Sequence, residues 1–432
     1  MTDGAVAVSW REFFGRAARL AERLASAGRV VNLCEGRFAF TLGYVAALIA
    51  GRVSVLPPVT AGVAAAAVSD EPGTLVLSDQ NRAGSAVGMI DPGEIPPGGW
   101  PRVNDVPSIE DALDACIVFS SGSTAEATAH TKSWGRLARV GIDIGERFGF
   151  RIGGQSVIGS VPSRHMFGLE TTVLAPLQWG SVIHSGRPFL PGDVDVACQA
   201  VPLERWLMTT PIQLRALADD SLCKARFEAV ISATMPLAAP LAAQVEERFG
   251  ARVYEIYGCT EAGSLATRRT TGTATWHTLR DVSIVERDGT AWVSGGHCTV
   301  PTPLADIVSV EDPAHFTLLG RASHMVKVGG KRTSIEALNS VLTQLPGVRD
   351  GTFFFPDEDD GAGSRLVAFA VAPGVSAATL VAGLRSRIDP VFVPRPLYVV
   401  PQLPRNLLGK LSRGELAEMA DRLSGRRDAV RG

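Results

Sequence analysis

Apolar residues along the chain follow helical and strand spacings in turn. From Trp10 to Ala27 they recur every three or four positions, which predicts an amphipathic helix. A strand is predicted at Val30–Cys34, a second helix at Phe40–Ala50 and a second strand at Val53–Leu56. This alternation indicates an α/β architecture with largely parallel sheets.

The same alternation returns in the middle of the chain. Strands are predicted at Val157–Gly159, Val182–His184, Ala229–Ile231 and Val253–Ile256, and the helix Ala239–Phe249 separates the last two. The α/β pattern therefore continues well beyond the first sheet.

The pattern changes near residue 321. Beyond it, a strand at Leu366–Val371 and a helix at Ala377–Ile388 predict a smaller α+β unit. A chain of 432 residues is also long for one core. We therefore expect a large N-terminal domain of several subdomains at 1–321 and a small C-terminal domain at 322–432.

Composition and charge exclude several classes of protein. Hydrophobic residues make up 46% and charged residues 20%, as in an ordinary globular protein rather than a disordered one. A net charge of −2 provides no broad basic field, so no nucleic-acid partner is expected. The six cysteines form no CxxC pair, which argues against a zinc site and a dense disulfide framework. Reduced thiols and a cytoplasmic location are expected.

No membrane span is expected either. The apolar stretch Val53–Val68 is short for crossing a bilayer and contains Pro57 and Pro58. It predicts a buried strand followed by an Ala-rich helix. The N-terminal residues carry charges where a signal peptide needs an apolar run.

The first candidate for chemistry is a hydroxyl-rich segment, Ser120–Thr124, which directly follows the apolar run Ile117–Phe119. Its backbone amides and hydroxyls can surround a phosphate chain. The spacing of a Walker loop is absent. Most loops of this composition only turn the chain, so the segment alone decides nothing.

The second candidate is Tyr254–Glu261, a predicted strand that ends in an aromatic, a hydroxyl and a carboxylate. These groups suit a nucleotide base, a phosphate and Mg²⁺ in that order. The alternative is a strand end with a solvated glutamate.

Two further candidates lie later in the chain. Asp306 precedes Arg321 by fifteen residues, and Lys327 and Gly330 follow. The aspartate is equally compatible with a turn or cap, and the cations with a solvated surface. A Gly-Lys pair ending at Lys410 lies in a loop near the C-terminus, where exposed lysines are common.

In this order, the four motifs resemble the adenylate-forming superfamily, which includes acyl-CoA synthetases, nonribosomal-peptide adenylation domains and luciferases. Ser232–Leu237 and Val161–Leu169 resemble two more of its segments, and the resemblance runs from Trp10 to Arg413. His165–Gly180 and the displaced lysine in AHTK resemble more closely the short ligases of aryl-polyene and xanthomonadin-type gene clusters of secondary metabolism. Those enzymes activate aromatic or acyl starter acids.

The resemblance implies an AMP-forming acid–thiol ligase that uses ATP and Mg²⁺. Such an enzyme activates a carboxylic acid as an acyl-adenylate and transfers it to CoA or an acyl carrier protein. The residues implied to bind ATP and AMP are Ser120, Ser121, Gly122, Ser123, Thr124, Lys132, Ser232, Ala233, Thr234, Tyr257, Gly258, Asp306 and Arg321.

The resemblance also implies the catalytic and acid-binding residues. The catalytic set is Lys410, Thr260 and Glu261, and Glu261 also holds the metal. The acid is expected beside His165, Phe167, Gly168 and Gly263. The small domain is implied to be mobile, so that it carries Lys410 away after adenylation. The residues expected at the hinge and thiol path are Ser323, Lys327, Gly329 and Gly330.

The serine-rich loop departs from the family pattern. Ala125–Thr128 stand where the family has Gly-x-Pro-Lys, which leaves Lys132 as a mobile replacement cation. The short interval between Glu261 and Asp306 indicates that a peripheral subdomain has been lost. Two alternatives remain open: transfer to an amine or alcohol, and a degenerate module that binds nucleotide or carrier protein without turnover. The altered loop favours the second, whereas Glu261 and Lys410 oppose it.

Overall fold

A computed structural model describes residues 2–3, 6–57, 72–80, 89–97, 108–120, 128–321, 325–328, 330–356, 365–405 and 411–428. Two large sheets and their helices form the N-terminal part, and a small C-terminal domain follows. The expected α/β fold, with parallel-rich sheets in a large N-terminal part, is confirmed.

The first sheet contains six strands among the described residues. They are β3 (Arg29–Asn32), β4 (Ser54–Leu56), β5 (Thr74–Leu77), β6 (Met89–Ile90), β7 (Asp114–Ser120) and β8 (Thr128–Ser133). Their order is β6-β5-β3-β4-β7-β8, and only β7 and β8 pair antiparallel. A short pair precedes them: β1 (Thr2–Asp3) and β2 (Val6–Ala7). A 3₁₀ turn at Pro92–Glu94 follows β6.

Helices α1 (Trp10–Leu24) and α2 (Arg37–Ile49) pack on this sheet. The side chain of Ser9 caps α1 by accepting a hydrogen bond from the amide of Glu12 at 3.2 Å. The apolar stripe of α1 is buried, because Phe13 and Leu20 are both 0% exposed. Burial of that stripe explains why helical spacing predicted this element.

The second sheet contains nine described strands. They are β9 (Ser156–Gly159), β10 (Val182–Ile183), β11 (Arg205–Thr209), β12 (Ala229–Ser232), β13 (Arg252–Cys259), β14 (Gly263–Arg269), β15 (Thr275–Thr278), β19 (Asp306–Asp312) and β20 (His315–Arg321). Their order is β10-β9-β11-β12-β13-β14-β15-β20-β19. Strands β9 to β13 are parallel, and the pairs beyond β13 are antiparallel. The switch at β13 produces a hairpin at the end of the parallel region.

Helices and a small antiparallel sheet accompany the second sheet. The helices are α3 (Trp134–Phe148), α4 (Met166–Leu169), α5 (Ala175–Trp179), α6 (Pro191–Gln199), α7 (Pro211–Asp219) and α8 (Ala239–Phe249). A π-helical turn, Glu170–Leu174, joins α4 to α5. The small sheet contains β16 (Ser283–Arg287), β17 (Thr290–Gly295) and β18 (Cys298–Pro303).

A buried arginine joins the two large sheets. Arg37, at the start of α2, is 1% exposed. Its guanidinium donates to the carbonyl oxygens of Gly159 (3.0 Å) and Val161 (2.9 Å) and to Oγ1 of Thr172 (3.1 Å). It also donates to two carbonyls of the 184–186 loop, at 3.4 and 2.7 Å. Burial lowers the pKa of Arg37 to about 9, so the group stays charged at neutral pH.

The C-terminal domain has its own core. Its strands are β21 (Met325–Val328), β22 (Lys331–Ser334), β23 (Asp350–Phe354), β24 (Val367–Val371) and β25 (Leu397–Val399). Its helices are α9 (Ile335–Thr343), α10 (Ala377–Arg385) and α11 (Arg413–Asp428), with a 3₁₀ turn at Pro390–Phe392. Ser334 Oγ donates to the carbonyl of Leu319 at 3.1 Å, which ties this domain to β20.

The predicted elements are found with shifts of a few residues at their ends. The helix Ala239–Phe249 has the expected bounds, whereas the first helix ends at Leu24 rather than Ala27. The Ala-rich helix expected after Leu56 lies outside the described residues. In the described part of the chain, no helix combines the length and apolar character that crossing a bilayer requires. All six cysteines are free.

Candidate active site at the junction of the two sheets

The hairpin between β13 and β14 carries the second sequence motif. Thr260 and Glu261 lie at its tip, and Glu261 is exposed. The strands shift register between Tyr257 and Gly258. A side chain on Gly258 would overlap the carbonyl oxygen of Gly263, so glycine is required at this bulge. The bulge sets the direction in which the hydroxyl and carboxylate at the tip project.

Three predicted nucleotide-binding residues meet at one end of the second sheet. The hydroxyl of Tyr257 donates to Asp306 at 2.7 Å, and Arg321 Nε lies 3.3 Å from the other oxygen of Asp306. Asp306 and Arg321 are cross-strand partners in β19 and β20. Four strand spacings of about 4.8 Å separate β13 from β19 along a flat sheet, so the sheet must curl to allow this contact.

The environment of Tyr257 keeps its hydroxyl a neutral donor. Burial, followed by the nearby Asp306 carboxylate, raises the pKa of Tyr257 well above its usual value. The ring is 8% exposed and lies 5.6 Å from the rings of both Trp276 and Phe316. The hydroxyl therefore orients Asp306, while the ring is largely part of the core.

The segment after β12 has an unusual backbone. Ser232 and Ala233 are buried, and Thr234 has a φ of 77°. A left-handed β-branched residue is uncommon and is a form of backbone strain found at functional sites. The Ser232 hydroxyl has no hydrogen-bond partner among the described residues.

Glu255 fixes this segment, and the sequence analysis assigned it no role. One carboxylate oxygen accepts from the amide of Leu237 at 2.9 Å. The other accepts from Arg268 Nε at 2.7 Å and from the Thr270 hydroxyl at 3.0 Å. Burial raises the pKa of Glu255 despite the nearby Arg268. A strand glutamate gives no sequence signal of such a contact.

Strand β8 brings two basic side chains to the hairpin tip. Lys132 is 3% exposed, and its Nζ donates to the carbonyl oxygen of Glu261 at 2.5 Å. The expectation of a mobile lysine is therefore corrected, because this side chain is buried and held. His130, which sequence reasoning missed, has Nε2 3.2 Å from Ser120 Oγ and 3.8 Å from Glu261 Oε1. Burial lowers the pKa of both Lys132 and His130.

The expected acid-binding residues surround the start of α4. His165 is half-buried and directly precedes this helix. Phe167 is 6% exposed and belongs to the core of the second sheet. A side chain on Gly168 would overlap the carbonyl oxygen of Pro162. Phe167 and Gly168 thus have clear packing roles, and their contact with an acid stays a prediction.

A buried carboxyl in the π-helical turn faces the hairpin. Glu170 is 1% exposed and accepts hydrogen bonds from the amide (3.0 Å) and hydroxyl (2.5 Å) of Ser264. Burial raises the pKa of Glu170 to about 7, although Ser264 and Lys132 pull it down. The sequence analysis assigned no role to Glu170, although it lies within His165–Gly180, or to the nearby His297, which belongs to no motif. A π-helical turn also has no spacing signal of its own.

The remaining expected site residues divide between the described and the undescribed parts of the chain. Those outside the described residues are Ser121, Gly122, Ser123, Thr124, Ser323, Gly329 and Lys410. Lys327 is exposed on β21, and Gly330, with a φ of 81°, precedes β22.

The hairpin tip suits a magnesium ion shared with a substrate. Within the described residues, no three histidine, cysteine, aspartate or glutamate side chains could jointly hold a metal. Mg²⁺ commonly uses one or two carboxylates together with water and substrate phosphates. The partly exposed carboxylate of Glu261 lies 3.8 Å from His130 Nε2 and close to the Cys259 thiol, and it fits such a site.

Two family models match this chain. The family model of the AMP-binding enzymes matches residues 1–320, and that of the AMP-binding enzyme C-terminal domain matches residues 337–410.

Two curated relatives are ligases. A 4-coumarate–CoA ligase of Rhodobacter capsulatus is 29% identical over 278 residues, which are 63% of this chain and 67% of the relative. The medium/long-chain-fatty-acid–[acyl-carrier-protein] ligase FadD10 of Mycobacterium tuberculosis is 28% identical over 155 residues. That match covers 34% of this chain and only 26% of the relative.

Two solved structures share the fold. ATP-bound MatB from Rhodopseudomonas palustris has a TM-score of 0.81 at 20% identity, covering 95% of this chain and 93% of that one. The o-succinylbenzoate CoA synthetase MenE from Bacillus subtilis, with AMP, has a TM-score of 0.77 at 19% identity. That match covers 94% of this chain and 92% of the MenE chain.

Proposed function

This chain belongs to the family of AMP-binding enzymes, and from that premise we propose an ATP-dependent acid–thiol ligase. The carboxylate of the acid attacks the α-phosphorus of ATP, which forms an acyl-adenylate and releases pyrophosphate. A thiol then attacks the acyl carbon, which forms a thioester and releases AMP. The enzyme needs no side-chain nucleophile, because the substrate itself attacks.

The observation that supports this function best is the convergence of separate motifs at the hairpin tip. Tyr257, Asp306 and Arg321 form one connected group, and Lys132 from the other sheet is bonded to the backbone of Glu261. A donor, a carboxylate and cations thus lie together, as recognition of a ribose and a phosphate requires.

These contacts support the following roles for residues of the large domain. Asp306, held by Tyr257, accepts from the ribose hydroxyls, while Thr260 and Lys132 donate to phosphate oxygens. Ser120–Thr124 continue that phosphate site. Such groups act by positioning the reactants and by stabilising the charge that develops on the phosphoryl group. When bound at Glu261, Mg²⁺ supplies charge neutralisation for the phosphates.

The small domain supplies the remaining cation. We take the domains as 1–321 and 322–432, and Lys410 of the second as the cation that meets the carboxylate and α-phosphate. Rotation of this mobile domain then removes Lys410 and brings Ser323, Lys327, Gly329 and Gly330 to the path of the thiol.

The substrates are proposed from the site and the relatives. The acid lies beside His165, Phe167, Gly168 and Gly263, in surroundings that suit a largely apolar molecule. The names of the two curated ligases point to an aryl or fatty acid and to CoA or a carrier protein. The resemblance to aryl-polyene and xanthomonadin-type ligases favours an aryl acid, in the cytoplasm.

Acid-dependent exchange of labelled pyrophosphate into ATP tests adenylation. With aryl, fatty and amino acids as a panel, at least one acid should stimulate exchange strongly. Adding CoA, a carrier protein or an amine in turn then identifies the acceptor. Nucleotide binding without exchange for any acid would instead favour the degenerate binding module.

Lys410→Ala separates the two half-reactions. We expect adenylation to fall by about 10²–10³-fold, the scale for one preorganised donor. Thioester formation from supplied acyl-adenylate should persist, because Lys410 has left the site by then. Equal loss of both half-reactions would contradict the assigned role.

A further inference from the structure

His130 lies between the two motifs that are expected to hold the phosphates of ATP. Its Nε2 lies 3.2 Å from Ser120 Oγ, on the first sheet, and 3.8 Å from Glu261 Oε1, at the hairpin tip of the second. The side chain of His130 is 21% exposed and that of Glu261 is 43% exposed. The imidazole therefore occupies a position that a ligand can reach, where the two sheets meet.

The surroundings of His130 favour a hydrogen on Nε2. A hydroxyl can donate or accept, whereas an ionised carboxylate only accepts. Nε2 faces one of each, so a donor at this nitrogen suits both Ser120 and Glu261. Lys132 follows two residues later, on the same face of β8, and its Nζ donates to the carbonyl of Glu261. An anion that enters between the serine and the hairpin tip thus meets two donors.

This position is remote from the expected ribose site. Tyr257 and Asp306 form that site through their hydrogen bond of 2.7 Å. Glu261 follows Tyr257 by four residues, a separation of up to about 13 Å in extended chain. His130 contacts the Glu261 end of this path. With the ribose at Asp306, the part of ATP that extends toward His130 is its outer phosphates.

Three roles are open to an imidazole here, and two of them fit poorly. Mg²⁺ prefers oxygen ligands, whereas imidazole suits zinc, copper, iron and nickel. A general base has no proton to remove, because the carboxylate that attacks in the proposed reaction is already ionised. A donor to phosphate uses both the hydrogen on Nε2 and the position beside Ser120.

Building on the proposed function, we propose that His130 is a further catalytic residue, which donates from Nε2 to an outer phosphate oxygen of ATP. During adenylation the bond between the α-phosphorus and the oxygen that joins it to the outer phosphates breaks. Its electron pair leaves with pyrophosphate, and a donor at that end stabilises the charge that the leaving group gains. AMP and the acyl-adenylate have no outer phosphates, so neither depends on His130.

Equilibrium binding of ATP and AMP tests this assignment. Calorimetry is run with Mg²⁺ and without an acid, so that ATP is not consumed. His130→Ala should weaken ATP binding by about 10–100-fold, the scale for a hydrogen bond to a charged group, and leave AMP binding within about threefold of the wild type. His277→Ala is the control and should change neither, since the exposed His277 stacks on His315 at 4.5 Å. Equal weakening of both nucleotides by His130→Ala would overturn the proposal.

Two more variants separate the donor from the shape of the side chain. His130→Gln keeps an N–H donor and should retain ATP binding within about threefold of the wild type. His130→Leu has no donor and should lose as much affinity as the alanine variant. The leucine variant also fills the volume of the ring, so it replaces His130→Ala if that protein does not fold. Similar ATP affinities for the glutamine and leucine variants would overturn the proposal.

The half-reactions give a second readout. In His130→Ala, pyrophosphate exchange should fall together with ATP affinity, while thioester formation from supplied acyl-adenylate should persist. Equal loss of both half-reactions would again overturn the role of His130. A wild-type protein that binds no ATP would instead refute the proposed function, whereas unchanged ATP binding in His130→Ala would refute this inference alone.

Discussion

Two buried cations link the sheets, and they differ in how fully they are hydrogen-bonded. Arg37 donates to five described acceptors, four of them backbone carbonyls. Lys132 is also buried, yet among the described residues its only hydrogen bond is to the carbonyl of Glu261. Lysine has three donors, so Lys132 keeps capacity for a ligand that Arg37 has already used.

The difference separates a structural cation from one available for chemistry. Burial removes water from both cations and therefore lowers the pKa of each. Saturated bonding offsets that cost for Arg37 without a ligand. For Lys132 the carbonyl of Glu261 and the nearby Glu170 carboxylate offset part of the cost, and we propose that a bound phosphate offsets the rest.

Arg37→Met should give the largest effect on stability. The variant leaves five acceptors, mostly buried, without their donor, and we expect the free energy of unfolding to fall by about 3–5 kcal/mol. Denaturant unfolding measures this. Arg226→Met removes one exposed bond, to the carbonyl of Arg248, and should change it by less than about 0.5 kcal/mol. If both variants lost similar amounts of unfolding free energy, Arg37 would not be a structural cation that stabilises the fold.

Lys132→Met should reduce activity while leaving stability nearly unchanged, the opposite of Arg37→Met. Adenylation should fall by about 10²–10³-fold through loss of a phosphate donor. The free energy of unfolding should stay within about 1 kcal/mol of the wild type, because a poorly compensated buried charge is also removed. Pyrophosphate exchange and denaturant unfolding measure these effects. The control is Lys224→Met, which changes an exposed lysine. A Lys132 variant that loses stability but keeps its exchange rate would mean that this lysine resembles Arg37.

The pH dependence of stability tests whether Glu170, the buried carboxyl near Lys132, has a raised pKa. The pKa of Glu170 is raised from 4.5 to about 7 by burial, so between these values the unfolded state releases this proton first. Stability of the wild type should therefore fall by about 3 kcal/mol relative to Glu170→Gln as pH rises through this window. Unfolding titrations of both proteins from pH 4 to 8 measure the difference. A constant difference would show that Glu170 titrates normally.

Tyr257→Phe should have the smallest effect. It removes one hydrogen bond to Asp306, worth about 1 kcal/mol, so KM for ATP should rise several-fold with little change in kcat. Tyr254→Phe, on the same strand, is the control and should leave KM unchanged. A loss confined to kcat would argue against a role in binding the ribose.

Sequence motifs selected residues that the fold brings together. Tyr257 came from one motif and Asp306 with Arg321 from another, and Asp306 lies within hydrogen-bonding distance of both of the others. Their contact with a nucleotide stays a prediction. The helix Ala239–Phe249 was also located correctly, because its periodic apolar face is buried against the sheet. Local patterns identify site residues that themselves belong to a motif.

The interior of the site could not be predicted in this way. Glu170, His297 and His130 acquire their environment from contacts between distant strands and a π-helical turn. Lys132 was selected for its charge, but its burial depends on how β8 meets the hairpin of the other sheet. Such features follow from tertiary packing, which spacing along one chain does not encode.

A crystal structure with a non-hydrolysable acyl-adenylate analogue tests the central claim most directly. Our account predicts the ribose hydroxyls at Asp306 and a phosphate oxygen within hydrogen-bonding distance of Lys132 Nζ. An analogue bound elsewhere, with Lys132 still bonded only to the carbonyl of Glu261, would contradict it.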